Sequence, residues 1–245
     1  MHKGIASISV AAAILVAPAI AQDTYPTKPV RMLVPLSAGS ATDLLARDIG
    51  QKLTEAWGQQ VVIDNRPSAA GVIAGEITAR AAPDGYTLMM VSTGHAVNAT
   101  LYRKLPYDTI KDFSAIALAA EAPNLLVATP SLGVKSARDV IALAKARPGQ
   151  INYASGGIGS GTHMVAEQFK HEAGIDVVHI PFKGTPEALT STIGGATQYF
   201  FAPVTVAVPL VKNLGGGLTN PCVAGDQGAP AFAGCDAASD AAWEV

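Results

Sequence analysis

The sequence predicts an α/β fold built on parallel strands and divided into two lobes. Three features carry that expectation. Short apolar runs of strand character alternate with stretches of helical spacing, the pattern of strands joined by crossover helices. The strands end in glycine and serine loops that run straight into helix starts, at Pro35–Ser40 and again at Ser155–Gly161. Between these halves the pattern loosens, and Glu121-Ala122-Pro123-Asn124 reads as an extended, proline-stiffened hinge strand that sets a lobe boundary at residues 122 and 123.

The first residues stand apart from the fold. His2 and Lys3 make a short basic start, Ile5 to Val16 is apolar but too short to span a bilayer, and Ala19-Ile20-Ala21 offers a small-x-small cleavage site before Gln22. Residues 1–21 are expected to be a cleaved signal peptide, cut near Ala21, that delivers the mature chain to an envelope compartment.

The first lobe is expected over residues 22–122. Val30, Met32 and Val34 alternate as a strand, and Leu45, Ile49, Leu53 and Trp57 recur every fourth residue on one helical face. Ser40 and Asp43 have near capping-box spacing and Gly58 follows the helix, so Asp43 reads as a cap and not as a catalyst. Val61-Val62-Ile63 reads as a brief buried strand and Ser68 to Ala81 as a helix of small residues. Tyr86 to Val91 reads as a strand ending in Ser92-Thr93-Gly94-His95, with Asn98 beyond.

The second lobe, residues 123–212, opens on the apolar run Leu125-Leu126-Val127 and continues with a helix from Ser136 to Ala146. Ile151 and Tyr153 begin a strand. Gly156, Gly157, Gly159 and Gly161 then allow positive φ, and Met164, Val165 and Phe169 resume helical spacing. A loop at a helix N-terminus combines unpaired amides with the positive end of the macrodipole, so this stretch reads as an anion seat. A tight turn without a ligand is the plain alternative, and the similar loop at Pro35–Ser40 weighs against it. Asp176 to Ile180 and Tyr199 to Ala202 read as strands, with a helix over Glu187 to Ile193. Ligands of open α/β sheets lie outside the carboxyl ends of the strands, so the polar strand ends share one expected crevice.

Several function classes are excluded or weakened. The chain has 245 residues, 49% hydrophobic and 15% charged, with a net charge of −2, which suits a globular protein and gives no basic footprint for nucleic acid. Gly156 and Gly161 have P-loop spacing, but Thr162 and His163 stand where Lys and Ser/Thr are needed, and a dinucleotide fingerprint would need a glycine at Thr162. Gly159 directly precedes Ser160, so there is no nucleophile elbow. His95, His163 and His179 fall on separate elements with no cysteine near, so neither a metal nor a cofactor is expected. His95 and His163 belong to the suspect loops, whereas His179 reads as a core strand residue. A carboxylate, which needs only donors, suits the loops, and Lys183 at a strand end is the best single cation to meet it. Arg31 and Arg66 are cations without an assigned place.

Four segments in order, YPTKPVRMLVPLSAGSATDLLAR, VIDNRPSAAGVIAGEITARAAPDGYTLMMVSTGHAVNATLY, INYASGGIGSGTHMVAEQF and VHIPFKGTPEALTSTIGG, resemble the periplasmic solute receptors of tripartite tricarboxylate transporters, often called Bug receptors. The resemblance covers most of Tyr25 to Lys212. It implies a type II periplasmic binding protein, not an enzyme, that closes as a monomer over a small organic carboxylate and serves the membrane components of such a transporter. It further implies ligand contacts from Ser37, Ala38, Gly39, Ser40, Ser92, Thr93 and His95 in the first lobe. Ser155, Gly156, Gly159, Ser160, His163 and Lys183 would contribute from the second. Two positions depart from the family pattern: Gly39-Ser40 replaces a glycine pair, and Gln198 stands where an acidic residue is usual. Two rivals stay open. An envelope hydrolase using Ser160 and His163 lacks an identifiable orienting carboxylate, and the effector lobe of a regulator lacks a helix-turn-helix before Val30.

The end of the chain reads differently. After Lys212 there is no Lys or Arg, both cysteines appear at Cys222 and Cys235, and no helical or strand period is visible. Family receptors return through a second hinge strand to complete the first lobe, so the resemblance implies that this return is missing, through a frameshift or truncation. Residues 213–245 are then expected to be aberrant and disordered, with a Cys222–Cys235 disulfide left open as an option. The first lobe would keep an unpaired edge on Val30 to Val34 or its neighbours, and the chain would bind its carboxylate weakly or not at all.

Overall fold

A computed structural model describes residues 25–213. The expectations for the signal peptide, for residues 214–245 and for Cys222 and Cys235 lie outside the described residues.

The first lobe holds a three-stranded parallel sheet in the order β2-β1-β3, from β1 (Val30–Val34), β2 (Val61–Asn65) and β3 (Thr87–Met89). Arg31 pairs in register with Val62 on one side and Thr87 on the other, so among the described residues β1 is the central strand and the sheet edges fall on β2 and β3. Period-two alternation turns Val30, Met32 and Val34 to one face, where they pack with Ala46 of α1 (Ala41–Trp57) and Val61 of β2. Helix α1 begins where Ser40 Oγ accepts from Asp43 N and ends at Gly58, whose φ of 65° lets its N–H close on Thr54 O.

Three elements differ from the sequence reading. Strand β2 is not a buried strand: only Val61 is enclosed, and Val62 is 42% exposed, because β2 lies at a sheet edge. The helix expected over Ser68 to Ala81 is broken into a 3-10 turn, Ala69–Gly71, and α2 (Val72–Ala79), since Ala70 (φ 50°) and Gly71 (φ 74°) are left-handed. A methyl group on Gly71 would lie 2.6 Å from Pro35 Cβ, so the kink lets the backbone settle against the first loop. The polar stretch after β3 is a helix start: Ser92 is the N-cap of α3 (Thr93–Leu101), and Asn98 lies within that helix.

The second lobe holds β4 (Asn124–Ala128), β5 (Asn152–Ser155), β6 (Val178–Pro181) and β7 (Tyr199–Pro203) in the order β4-β7-β5-β6. Strand β5 runs parallel to β6 and β7, while β4 pairs antiparallel with β7, a departure from the all-parallel expectation. Helices α4 (Ala137–Ala146), α5 (Gly161–Ala173), α6 (Thr185–Ile193) and α7 (Val204–Asn213) complete it. Alternation along β7 sends Tyr199 and Phe201 into a core with Val140 and Phe169, and Phe200 and Ala202 into a second core with Ala188 and Leu189. Burial of each phenylalanine contributes about 1.5–3 kcal/mol. A capping box between Ser136 and Asp139 starts α4. Among the described residues no helix is long and apolar enough to cross a membrane.

Candidate functional site

The starts of α1, α3, α5 and α6 follow the carboxyl ends of β1, β3, β5 and β6, and they meet in a ring between the lobes. Ser37 N donates to Lys183 O at 3.3 Å and Ser37 Oγ donates to Glu187 Oε2 at 3.0 Å, joining the β1–α1 loop to the start of α6. A methyl group on Gly39 would lie 3.4 Å from Pro186, one on Gly94 3.0 Å from Gly159 O, and one on Gly161 3.3 Å from Thr93 Oγ1. The ring is tight as well as convergent. Two shallow concavities lie elsewhere, one along α1 and β2 around Arg47 and Gly50, the other around Lys170 and Gly174 on α5.

The loops are largely capped by their own side chains. Gly156 N donates to Thr162 Oγ1 at 2.9 Å, Gly157 N to Ser155 Oγ at 3.1 Å, and Gly159 N to His163 Nδ1 at 3.1 Å. Ser160 is the N-cap of α5, its Oγ accepting from His163 N at 3.3 Å. Gly157 (φ 123°) and Gly159 (φ 77°) are left-handed, whereas Gly156 and Gly161 are not, which corrects the expectation of four such glycines. In the first loop, Asp43 Oδ2 accepts from Gly39 N at 2.8 Å and from Arg47 Nε at 2.9 Å, while Oδ1 accepts from Asn65 Nδ2 at 2.9 Å. Burial alone would raise the Asp43 pKa, but the hydrogen bonds from Arg47, Gly39 and Asn65 outweigh it and hold the carboxyl below its ordinary value. The expected anion seats are therefore self-capped in part, at the loop amides of Gly39, Gly156, Gly157 and Gly159. Among the described residues, the first-turn amides of Ala41, Thr42, Gly161 and Thr162 take no backbone or side-chain acceptor.

Thus Ser37, Gly39, Thr93, Gly156, Gly159 and Lys183 approach the opposite lobe or a neighbouring helix start, with Ala38, Ser40, Ser92, Ser155, Ser160 and His163 on the same loops. Ser40, Ser155 and Ser160 are buried. His95 does not join them. Its Nε2 lies 3.1 Å from Thr109 O, and its ring stacks on Tyr107 and meets Phe113 edge-on. Lys183 has an exposed side chain and meets the other lobe through its carbonyl. Arg31 and Arg66 are both spent on Asp64. Gln198 accepts from Asn152 N and donates to Gly195 O, a purely structural post.

Residues the sequence reading missed include Glu187, Thr162 and Gly184, all at helix starts, and His179. The last is half-buried and not a simple core residue: its Nε2 lies 2.6 Å from Ser155 Oγ, and its ring stacks between Tyr153 (4.8 Å) and His163 (4.2 Å). The Ser155 oxygen already accepts from Gly157 N, leaving its proton to run to the imidazole. Burial, reinforced by the neighbouring His163, lowers the His179 pKa to about 4. Burial also lowers His163, against a raising effect from Glu167 and a further lowering one from Lys170. Desolvation and a hydrogen bond to Glu167 raise the Tyr153 phenol. Ser160 and His163 do not form a nucleophile and base, since the ring nitrogen faces Gly159 N while the hydroxyl accepts from the backbone. Among the described residues no cluster of three or more His, Cys, Asp or Glu could hold a metal.

Comparison with known proteins places this geometry. The tripartite tricarboxylate transporter family receptor, TctC, matches residues 45–240, which runs beyond Lys212 where the resembling motifs end. Protein BugT of Bordetella pertussis is 37% identical over 190 residues, covering 77% of this chain and 58% of that protein. The chain spans little more than half the length of the curated relatives it matches. An R. palustris protein solved with adipate is 35% identical with a TM-score of 0.78, covering 82% of this chain and 67% of that one. MatC from Rhodopseudomonas palustris with bound malate is 30% identical with a TM-score of 0.76, covering 82% and 68%. A family match across most of the chain, carried by a two-lobed α/β frame that presents its helix starts to one ring, means that this chain belongs to the tripartite tricarboxylate transporter receptor family.

Proposed function

We propose that the chain is an extracytoplasmic receptor that binds a small organic carboxylate between its lobes. The observation that carries this reading is the convergence of four helix starts from both lobes on one ring. Helix N-termini stabilise negative charge, and the free first-turn amides of α1 and α5 are donors for carboxylate oxygens. Hydroxyls of Ser92 and Thr93 add neutral donors, while that of Ser37 is already given to Glu187. Asp43 is already paired with Arg47, and Glu187 leaves a carboxylate at the ring beside Ser37, so a mono- or dicarboxylate suits the ring better than a tricarboxylate. The relatives solved with adipate and malate point to the same class.

The role is binding and not catalysis, acting in the periplasm as a monomer that hands its ligand to the membrane components of a tripartite transporter. The Ser160 and His163 geometry supports this over a hydrolase. Isothermal titration of the 245-residue chain against a panel of organic acids, nucleotides and sugars tests it. Saturable binding of a dicarboxylate is expected, at an affinity weakened as the sequence reading anticipates. Binding of nucleotides or sugars with no carboxylate bound would overturn the assignment.

A further inference from the structure

The β5–α5 loop has three amides capped by side chains, and one of the three caps can be switched by a proton. Thr162 Oγ1 and Ser155 Oγ, hydroxyls that do not themselves titrate, hold Gly156 N and Gly157 N, but Gly159 N is held by an imidazole nitrogen. To accept that bond, Nδ1 of His163 must be unprotonated, which places the ring hydrogen of the neutral form on Nε2. A second proton turns Nδ1 into a donor. The bond to Gly159 must then open, leaving an amide N–H and a cationic ring N–H side by side where one acceptor stood.

Gly159 is well placed for a ligand to use that pair, because it lies at the contact between the lobes. Its carbonyl faces Gly94 at the start of α3, and its Cα faces Ala70 and Leu101. We propose that His163 is a proton-operated cap: in the empty protein the neutral ring holds the Gly159 amide, and a carboxylate enters together with one proton on His163. The amide and the imidazolium then both donate to the anion. This rests on the carboxylate reading above and adds to it a proton-coupled binding residue.

The groups around the ring bear on the balance. From β6, His179 stacks on it at 4.2 Å and opposes a second positive charge; from α5, Glu167 favours the protonated ring and Lys170 opposes it. Tyr153 of β5 lies beyond His179 and donates its hydroxyl to Glu167. Burial lowers the His163 pKa, so the empty ring is neutral near neutral pH and the cap is shut. An anion at the ring edge supplies the opposing charge that the proton needs. Linkage then sets the sign: affinity is highest at low pH and falls as pH rises through the pKa of His163 in the complex.

The test uses the full chain with malate and adipate as probes between pH 5.5 and 8, in paired buffers of different ionisation enthalpy. Uptake of one proton per ligand is expected, with affinity rising up to about tenfold for each unit fall in pH within the window between the free and bound His163 pKa values. His163→Asn, whose side-chain oxygen can hold the amide but takes no proton, is expected to abolish that dependence. Affinity that ignores pH, or a dependence that persists in His163→Asn, overturns the proposal. In parallel, the Gly159 amide of the 15N-labelled chain is followed as the His163 ring titrates without ligand. An amide that ignores the ring overturns the cap whether or not either acid binds. An amide that follows the ring while no acid binds at any pH sustains the cap and discards the carboxylate reading.

Discussion

Gly184 lies so close to Ser37 that a methyl group on it would sit 1.9 Å from Ser37 Oγ, which makes this pair the tightest contact between the lobes among the glycine positions described. The requirement is one of space, since Gly184 has a φ of 179°, an extended backbone open to any residue. Even if the hydroxyl swings away, Ser37 Cβ and N remain at 3.0 and 3.2 Å. Gly184→Ala is therefore expected to hold the lobes apart and weaken dicarboxylate binding by about tenfold, equivalent to about 1.4 kcal/mol, with little change in melting temperature. Titration calorimetry beside a thermal melt measures both; unchanged affinity would show that the contact is not part of the bound state.

Gly159 combines backbone strain with crowding. At φ 77°, an added Cβ would meet Ala70 Cβ at 2.8 Å and Leu101 Cδ2 at 2.9 Å. Gly159→Ala is expected to cost about 2–4 kcal/mol of stability, from left-handed strain plus overpacking. Gly174→Ala is the control. Its φ is 57° with nothing within 4 Å, so only the strain of about 1 kcal/mol remains. Urea unfolding of the two variants compares them, and equal losses would remove the crowding argument.

Asp43, 1% exposed, holds the first loop to α1 and β2 by accepting from Gly39, Arg47 and Asn65. Asp43→Ala leaves the half-buried donors of Gly39 and Asn65 without their acceptor and is expected to destabilise by about 1–3 kcal/mol. Because its folded pKa is depressed, the carboxylate contributes stability above the ordinary carboxylate range and loses it as pH falls through the folded pKa. Acid unfolding should accordingly begin at higher pH in Asp43→Asn, which keeps shape without charge, than in the parent.

His179 predicts a separate pH dependence. Its pKa falls from 6.5 to about 4 on folding, so the fold favours the neutral ring. The stability it contributes is complete above about pH 6.5 and is lost progressively as pH falls towards 4. Solvent screening at a half-buried ring limits that loss to about 1–2 kcal/mol. Denaturant midpoints measured across this window should fall in the parent and stay flatter in His179→Gln; parallel curves would show that another group is responsible.

Much of the frame was legible from local signals. Alternation marks β1, a short continuous apolar run marks β7, fourfold recurrence marks α1, and Ser40 with Asp43 and Gly58 mark its two ends, because these patterns record which faces of one element are buried and which backbone groups need a cap. The paired glycine loops also marked, by residue type alone, where the lobes would meet.

What the loops do with their donors was settled only by tertiary structure. Helix α3 has a glycine in its first turn and an N-cap serine that makes no capping bond, so nothing local announces it; it is anchored where Asn98 donates to Ala70 O and Gly94 lies against Gly159. His179 alternates like a core residue, yet strand register sets it against Tyr153 and within reach of Ser155, two residues along β5. His163 could have faced solvent, the ligand crevice or its own loop, and packing against His179 turns it onto the Gly159 amide. By itself the sequence determined the elements, their caps and the chemical class of the loops, since those depend on near neighbours along the chain. Which acceptor takes each loop amide, and how closely the lobes approach, depends on rotamers and register held by distant residues, and so only the folded arrangement decided it.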